Sequence, residues 1–204
     1  MRKLAEFIGR LRWGSIEERR RDGLVQMYDL LAQTSLHGKY WVFLGLMLGC
    51  VREGGPLAHD RDSDFAFLAS DSRAFLDAVA VLRRSGFDLR PLQVNNDGRT
   101  TKWALKRRCY KFEFFQIDRV GDRYRWFTHG RNPPTELVNE VPAHGLADFE
   151  LYGRRFKIPD NAERQLEILY GNWRQPDPDY KYWRDCKATV ERNPWSSPRR
   201  HAAD

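Results

Sequence analysis

The sequence predicts a mixed α/β (α+β) domain in which helices flank a mixed β-sheet. Three observations lead there. From Ser72 to Arg84, Phe75, Val79 and Leu82 share one helical face, and Gly86 follows as a stop signal. Tyr110 to Ile117 is rich in aromatics and suits a buried strand. Around these segments, strand-like and helical runs follow one another without an internal repeat, a long Pro/Gly/Ser linker or a shift in composition. The 204 residues suffice for one domain with a sizeable core. That domain is expected over residues 1–195, opening on a helical segment 1–36, with 196–204 as a disordered tail.

Leu4, Phe7, Ile8 and Leu11 make one apolar helical stripe, with Arg2, Lys3, Arg10 and Arg12 elsewhere on the wheel. Such a helix suits docking on its own domain, the expected role, or a peripheral contact of residues 2–12 with an anionic membrane surface. Ser15 and Glu18 form a capping-box signature, so a second helix is expected from about Ile16 to Ser35. Lys39 to Leu44 reads as a buried strand broken by Gly45. Met47 to Glu53 follows as a short helix ended by Gly54-Gly55-Pro56, and Asp62 to Ala69 as the next strand.

Phe87 to Val94 and Arg99 to Arg107 are strand-like about the turn Asn95-Asn96-Asp97-Gly98. Arg123 to Thr128 pairs beside the aromatic strand across Gly121-Asp122, and Asn132-Pro133-Pro134 opens a loop. Phe149 to Ile158 suits a hairpin about Tyr152-Gly153. A helix then begins at Pro159-Asp160, with Asp160 and Glu163 as a second capping-box pair, and ends at Tyr170-Gly171.

Lys and Arg exceed Asp and Glu by 35 to 28, a formal charge of +7. That favours an anionic partner without choosing among nucleotide, nucleic acid and membrane. Cys50, Cys109 and Cys186 are odd in number and widely spaced, with no CxxC pair, which argues against a zinc cluster or disulfide framework and for a reducing cytoplasm. No apolar run approaches the roughly 20 residues of a membrane span, and the charged N-terminus does not read as a secretory signal.

The segment His59-Asp60-Arg61-Asp62-Ser63-Asp64-Phe65 carries the most chemistry. Side chains two apart on a strand share a face, so Asp62 and Asp64 lie side by side. Two carboxylates about 4 Å apart repel by roughly 4 kcal/mol at an effective dielectric of 20. A hard divalent ion, Mg²⁺ or Mn²⁺, offsets this. An EF-hand loop is the rival, but the position that needs glycine is Phe65, and Gly54-Gly55-Pro56 interrupts any incoming helix. A solvated acidic turn is the plainer alternative. The preceding strand–Gly45–helix arrangement favours phosphoryl chemistry, since glycine lets phosphate approach and a helix start offers free N–H groups.

Phe43-Leu44-Gly45-Leu46-Met47-Leu48-Gly49-Cys50-Val51-Arg52-Glu53-Gly54-Gly55, followed by His59 to Asp64, resembles the signature of the LicD/fukutin family. Ile158-Pro159-Asp160 and Leu169-Tyr170-Gly171-Asn172-Trp173 are similar to that family's C-terminal helix, so the resemblance spans roughly Lys39 to Trp173. It implies a nucleotidyltransferase fold. It also implies metal-dependent transfer of a phosphorylated alcohol, such as phosphocholine or a polyol phosphate, from a CDP-activated donor to a glycan hydroxyl. Asp62 and Asp64 would hold the metal, and Gly45, Leu46, Arg52 and Asp60 would lie against the nucleotide. Two departures stand out: Leu46 replaces the family's hydroxyl residue, and His59 replaces a tryptophan.

A third acid, serving as metal ligand or catalytic base, is expected from a neighbouring strand. Glu113, between Phe112 and Phe114, is the choice over Asp118. Arg52 suits either a phosphate clamp or a brace on the acidic strand. Lys102 and Lys106 are expected on a solvated basic face, and His59 in a structural role. Two other functions stay in view. One is transfer of a nucleoside monophosphate from a triphosphate to a small molecule, protein or RNA. The other is a non-catalytic binding module with a degenerate site. Nucleic acid is not the expected partner.

Overall fold

In the computed structural model, residues 12–196 are described. The apolar stripe at Leu4–Leu11 and the tail from residue 197 lie outside them. A helix α1 (Ile16–Leu31) leads to strand β1 (Tyr40–Val42), helix α2 (Leu44–Glu53) and strand β2 (Asp62–Leu68). A 3₁₀ turn at Ala69–Asp71 joins β2 to helix α3 (Ser72–Arg84). Five strands follow: β3 (Asp88–Val94), β4 (Thr100–Arg107), β5 (Tyr110–Val120), β6 (Arg123–Arg131) and β7 (Pro134–Pro142). The hairpin β8 (Leu146–Leu151)–β9 (Arg154–Pro159), helix α4 (Ala162–Tyr170), the single turn α5 (Tyr182–Asp185) and strand β10 (Thr189–Pro194) complete the described residues.

The eight-stranded sheet is mixed. It runs β1-β2-β5-β6-β7-β10, with β4 also paired to β5 and β3 to β4. The β2–β5 pair is parallel and the other strand pairs of this sheet are antiparallel. A mixed sheet with flanking helices is the expected α/β class.

Strand alternation divides the chemistry of the central pair. Ser63, Phe65 and Phe67 on β2 stand opposite Phe112, Phe114 and Gln116 on β5. Ser63, Phe65, Phe67, Phe112 and Phe114 are fully buried. Phe67 stacks on Phe75 of α3 at 4.2 Å, and Gly23 of α1 lies so close to Phe112 that a Cβ there would stand 2.5 Å from its ring. This apolar face is therefore sealed by α1 and α3. Asp62, Asp64, Lys111 and Glu113 point to the other face, towards α2 and the segment after α4.

The Ser15–Glu18 capping box forms in full, Glu18 N–H donating to Ser15 Oγ at 3.1 Å and Ser15 N–H to Glu18 Oε2 at 2.7 Å. Helix α1 ends at Leu31, four residues before Ser35, in a run of turns. Buried Arg20 on this helix donates to the Leu57 carbonyl at 2.8 Å and so ties α1 to the loop before β2. The Tyr152-Gly153 turn has both residues at positive φ, as a two-residue hairpin requires.

Three expectations need correction. The strand at Lys39 stops at Val42, and Gly45 is the second residue of α2 rather than a break before it, because Leu44 already turns at φ 41°. The second capping box does not form: α4 starts at Ala162, and its cap Asn161 makes no side-chain hydrogen bond to the helix end. Asn132-Pro133-Pro134 is a tight turn, not a loop, with Pro134 already on β7.

Candidate functional site

The acidic segment opens onto a cleft of about 990 Å³. Its floor is the polar face of β2 and β5, and one wall is the start of α2. Asp60, Asp62, Asp64 and Glu113 line it together with Gly45, Arg52, His59 and Lys102. The end of α4 and the chain after it supply the opposite wall, including Tyr170, Trp173, Tyr180 and Tyr182.

Asp62 and Asp64 flank Ser63, whose hydroxyl turns into the core and meets Tyr110 Oη at 3.0 Å. In the β2–β5 register Asp62 faces Lys111 and Asp64 faces Glu113. Three acids expected to converge therefore share one face of adjacent strands. Asp118, five residues beyond Glu113, does not line the cleft: the Arg99 guanidinium holds it, Nη1 lying 2.7 Å from Oδ1.

Two lysines already neutralise part of this charge. Lys111 Nζ lies 2.7 Å from Asp62 Oδ2 and 2.7 Å from Glu113 Oε1, and Lys102 Nζ lies 2.9 Å from Glu113 Oε2. Burial alone would raise the Glu113 carboxyl, but Lys102 and Lys111 hold it below its ordinary value. The lysine pair meets the condition for an ionised buried acid at this position. Asp64 differs. Its backbone carbonyl accepts from Phe43 N–H at 2.9 Å, but its carboxylate has neither a hydrogen bond nor an ion pair among the described residues. Burial, and then the charges of Asp62 and Glu113, push its carboxyl well above the ordinary range. Burial likewise raises Asp60.

Gly45 stands where α2 meets the acids. A Cβ there would lie 3.0 Å from Asp60 Oδ2 and 3.7 Å from Asp64 Oδ2. The carboxylates therefore sit against the first turn of a ten-residue helix, whose free N–H groups and dipole favour negative charge. Leu46 is corrected: it is 2% exposed, packs in the core and does not line the cleft. The side chain at this position serves packing rather than substrate.

Arg52 lines the cleft but does not brace the acidic strand. Its Nη1 donates to the Trp173 carbonyl at 3.2 Å and its Nη2 pairs with Glu53 at 3.1 Å, linking α2 to the far wall. Lys102 is also corrected, since it faces the cleft beside Glu113 with the Phe115 ring 5.1 Å away. His59 is exposed, 3.8 Å from Asp60, and holds no structural position.

Sequence reading missed Lys111, though its place two residues before Glu113 put it on the same face. It also missed the β6 end of the cleft. There His129 contacts Gln93, and its imidazole is lowered to about 4, first by burial and then by nearby Lys102.

The donor set suits a hard divalent cation in kind. Four carboxylates against two ammonium groups leave a local formal charge of −2, and Asp64 lacks a cationic partner in contact. As they stand, no three His, Cys, Asp or Glu side chains among the described residues are arranged to hold a metal ion. Lys111 occupies the gap between Asp62 and Glu113. Among the described residues no helix is long and apolar enough to cross a membrane. No protein-family model matches this sequence, and no characterised protein matches it. The resemblance read in the Phe43–Asp64 block therefore stands on its motifs alone.

Proposed function

We propose that this protein is a metal-dependent transferase of the nucleotidyltransferase type, acting on a phosphorylated alcohol carried by a CDP-activated donor, as the LicD/fukutin resemblance implies. The observation that carries the reading is the pairing of Asp64 with Glu113 in parallel register, beside Asp62, on the floor of a cleft walled by the first turn of α2.

In this reading Asp62 and Asp64, with Glu113 as the third acid, would hold Mg²⁺ or Mn²⁺. When bound, the ion neutralises charge on the transferred phosphorus and on the departing nucleotide. The protein's own part is positioning. The first turn of α2 at Gly45 lets phosphate approach the backbone. Arg52 and Lys102 supply cationic donors on two sides of the cleft. The tyrosines and Trp173 of the far wall give the organic part of a substrate an apolar surface. The acceptor oxygen bonds to phosphorus, the bond from phosphorus to CMP breaks, and the hydroxyl proton passes to a carboxylate of the cluster. Glu113, kept ionised by Lys102, supplies charge and orientation on this face.

A second reading, transfer of a nucleoside monophosphate from a triphosphate, uses the same residues. Product analysis separates them. Incubation with Mg²⁺ and CDP-linked alcohols releases CMP in the first case, and incubation with nucleoside triphosphates releases pyrophosphate in the second. If neither appears with any tested acceptor, and no nucleotide shifts the melting temperature, the chain is a binding module instead.

A further inference from the structure

Lys111 is carried to the acid face by the same alternation that carries the acids: it stands opposite Asp62 in the β2–β5 register and two residues before Glu113 on its own strand. Its ammonium sits between them, 2.7 Å from an oxygen of each. These are charge-assisted hydrogen bonds to oxygens that a divalent cation would also need. Two cations a few ångströms apart repel strongly even at a protein-like dielectric, so an ammonium and a metal ion compete for one carboxylate pair. Lys102 is placed differently, since it touches Glu113 but not Asp62 and lies by the Phe115 ring. The Lys111 side chain is 40% exposed, which leaves it a path away from the acids without disturbing the core.

We propose that Lys111 is the resident counter-ion of the acid cluster and is exchanged for a divalent cation when the site is charged. The inference rests on the metal-dependent reading above. Without metal, the ammonium offsets the repulsion among Asp62, Asp64 and Glu113. With metal, it must give up both bonds. Lys111 therefore sets how tightly the metal is held.

Two measurements on the full chain test this, with Mn²⁺ alone as the probe. The first is acetylation of lysines read by mass spectrometry. An ammonium enclosed by two carboxylates is shielded from the reagent. Saturating Mn²⁺ should accelerate labelling of Lys111 at least about threefold and leave Lys157, paired with Asp148 at 2.6 Å, unchanged. The second is Mn²⁺ affinity by electron paramagnetic resonance. Lys111→Gln should bind about tenfold more tightly than the wild type. Lys106→Gln removes the same charge from the residue directly across the β4–β5 pair, one with no ion pair among the described residues, and should change affinity by less than about threefold. Mn²⁺ binding that leaves Lys111 labelling unchanged overturns the exchange while the metal reading stands. Equal effects of the two substitutions, or weaker binding by Lys111→Gln, overturn it as well. No Mn²⁺ binding by wild type or variant overturns both readings, whereas binding by Lys111→Gln alone supports the exchange.

Discussion

Asp64 and Glu113 stand directly opposite one another on parallel strands, yet only Glu113 is held by lysines. Their protonation is driven in opposite directions. The Asp64 carboxyl is raised in the folded protein, so the native state binds a proton more tightly than the unfolded chain does. Its contribution to stability is present below the ordinary value of 3.8 and is lost as pH rises through the folded value. Glu113 is lowered, so its contribution is present above 4.5 and is lost as pH falls through the folded value. In metal-free buffer at pH 7, Asp64→Asn should therefore raise the melting temperature, by roughly 2–8 °C for one to two kcal/mol relieved. The gain should shrink towards pH 4. Glu113→Gln should lower the melting temperature at pH 7, because it strands Lys102 and leaves Lys111 with Asp62 alone. Melting curves between pH 4 and 8 decide; an Asp64→Asn protein no more stable than wild type at pH 7 would show that the buried charge is not felt.

Metal should act on the same carboxylates. A ligand present at 100 times its dissociation constant stabilises a protein by about 2.7 kcal/mol, roughly 5–10 °C for a chain of this size. Mg²⁺ or Mn²⁺, with nucleotide where needed, should produce such a shift in wild type and none in the Asp62→Asn/Asp64→Asn double variant. A shift of equal size in the double variant would place the cation elsewhere.

How far the site was legible depends on the range of the interactions. Asp62 and Asp64 were readable because strand alternation is local, and the same rule separated Glu113 from Asp118. The same rule puts Lys111, two residues before Glu113, on that face, but the residue went unread because no motif marks it. The α3 helix, Ser72–Arg84, was legible to the residue from its periodicity. The β7 strand was not, since two prolines at Asn132-Pro133-Pro134 signal a loop, and the pairing that makes it a strand comes from β6 and β10. The far wall of the cleft, from Tyr170 to Tyr182, has no periodic pattern. Its position is set by tertiary contacts such as Arg52 to the Trp173 carbonyl, 121 residues apart in sequence.

Two glycines of α2 should respond differently to alanine. At Gly49 a Cβ would fall 2.5 Å from the Gly55 carbonyl oxygen and 2.8 Å from the Leu57 nitrogen, both backbone atoms of the loop leading to the acids. Backbone cannot yield as a side chain can, so Gly49→Ala should cost about 2–4 kcal/mol, a drop of roughly 5–15 °C. At Gly45 the nearest atom is the end of the Asp60 side chain at 3.0 Å, and alanine itself favours a helix by about 1 kcal/mol. Gly45→Ala should stay within about 1 kcal/mol of wild type while weakening metal and nucleotide binding. Thermal melts and binding titrations of the two variants check this; equal destabilisation would mean that α2 does not approach the loop as closely as described.

The sharpest separation is between Glu113 and Asp118, which lie on the same strand at odd spacing. Glu113 lies 9% exposed on the cleft floor opposite Asp64, gripped by two lysines. Asp118 lies outside the cleft, where β5 leaves β2 and pairs with β6, and its partner is Arg99, itself 41% exposed. Under the transferase reading, Glu113→Gln removes a charge from the reacting face and takes from Lys102 its carboxylate partner. Turnover should fall about 100-fold or more, the scale on which loss of a positioned acid or base is felt. Asp118→Asn breaks a partly exposed ion pair, worth about 1 kcal/mol or less, and should change turnover by less than about tenfold. Steady-state rates for the two variants, each shown to be folded by circular dichroism, give the ranking. The reverse order would place the third acid at Asp118 and remove Glu113 from the reacting face.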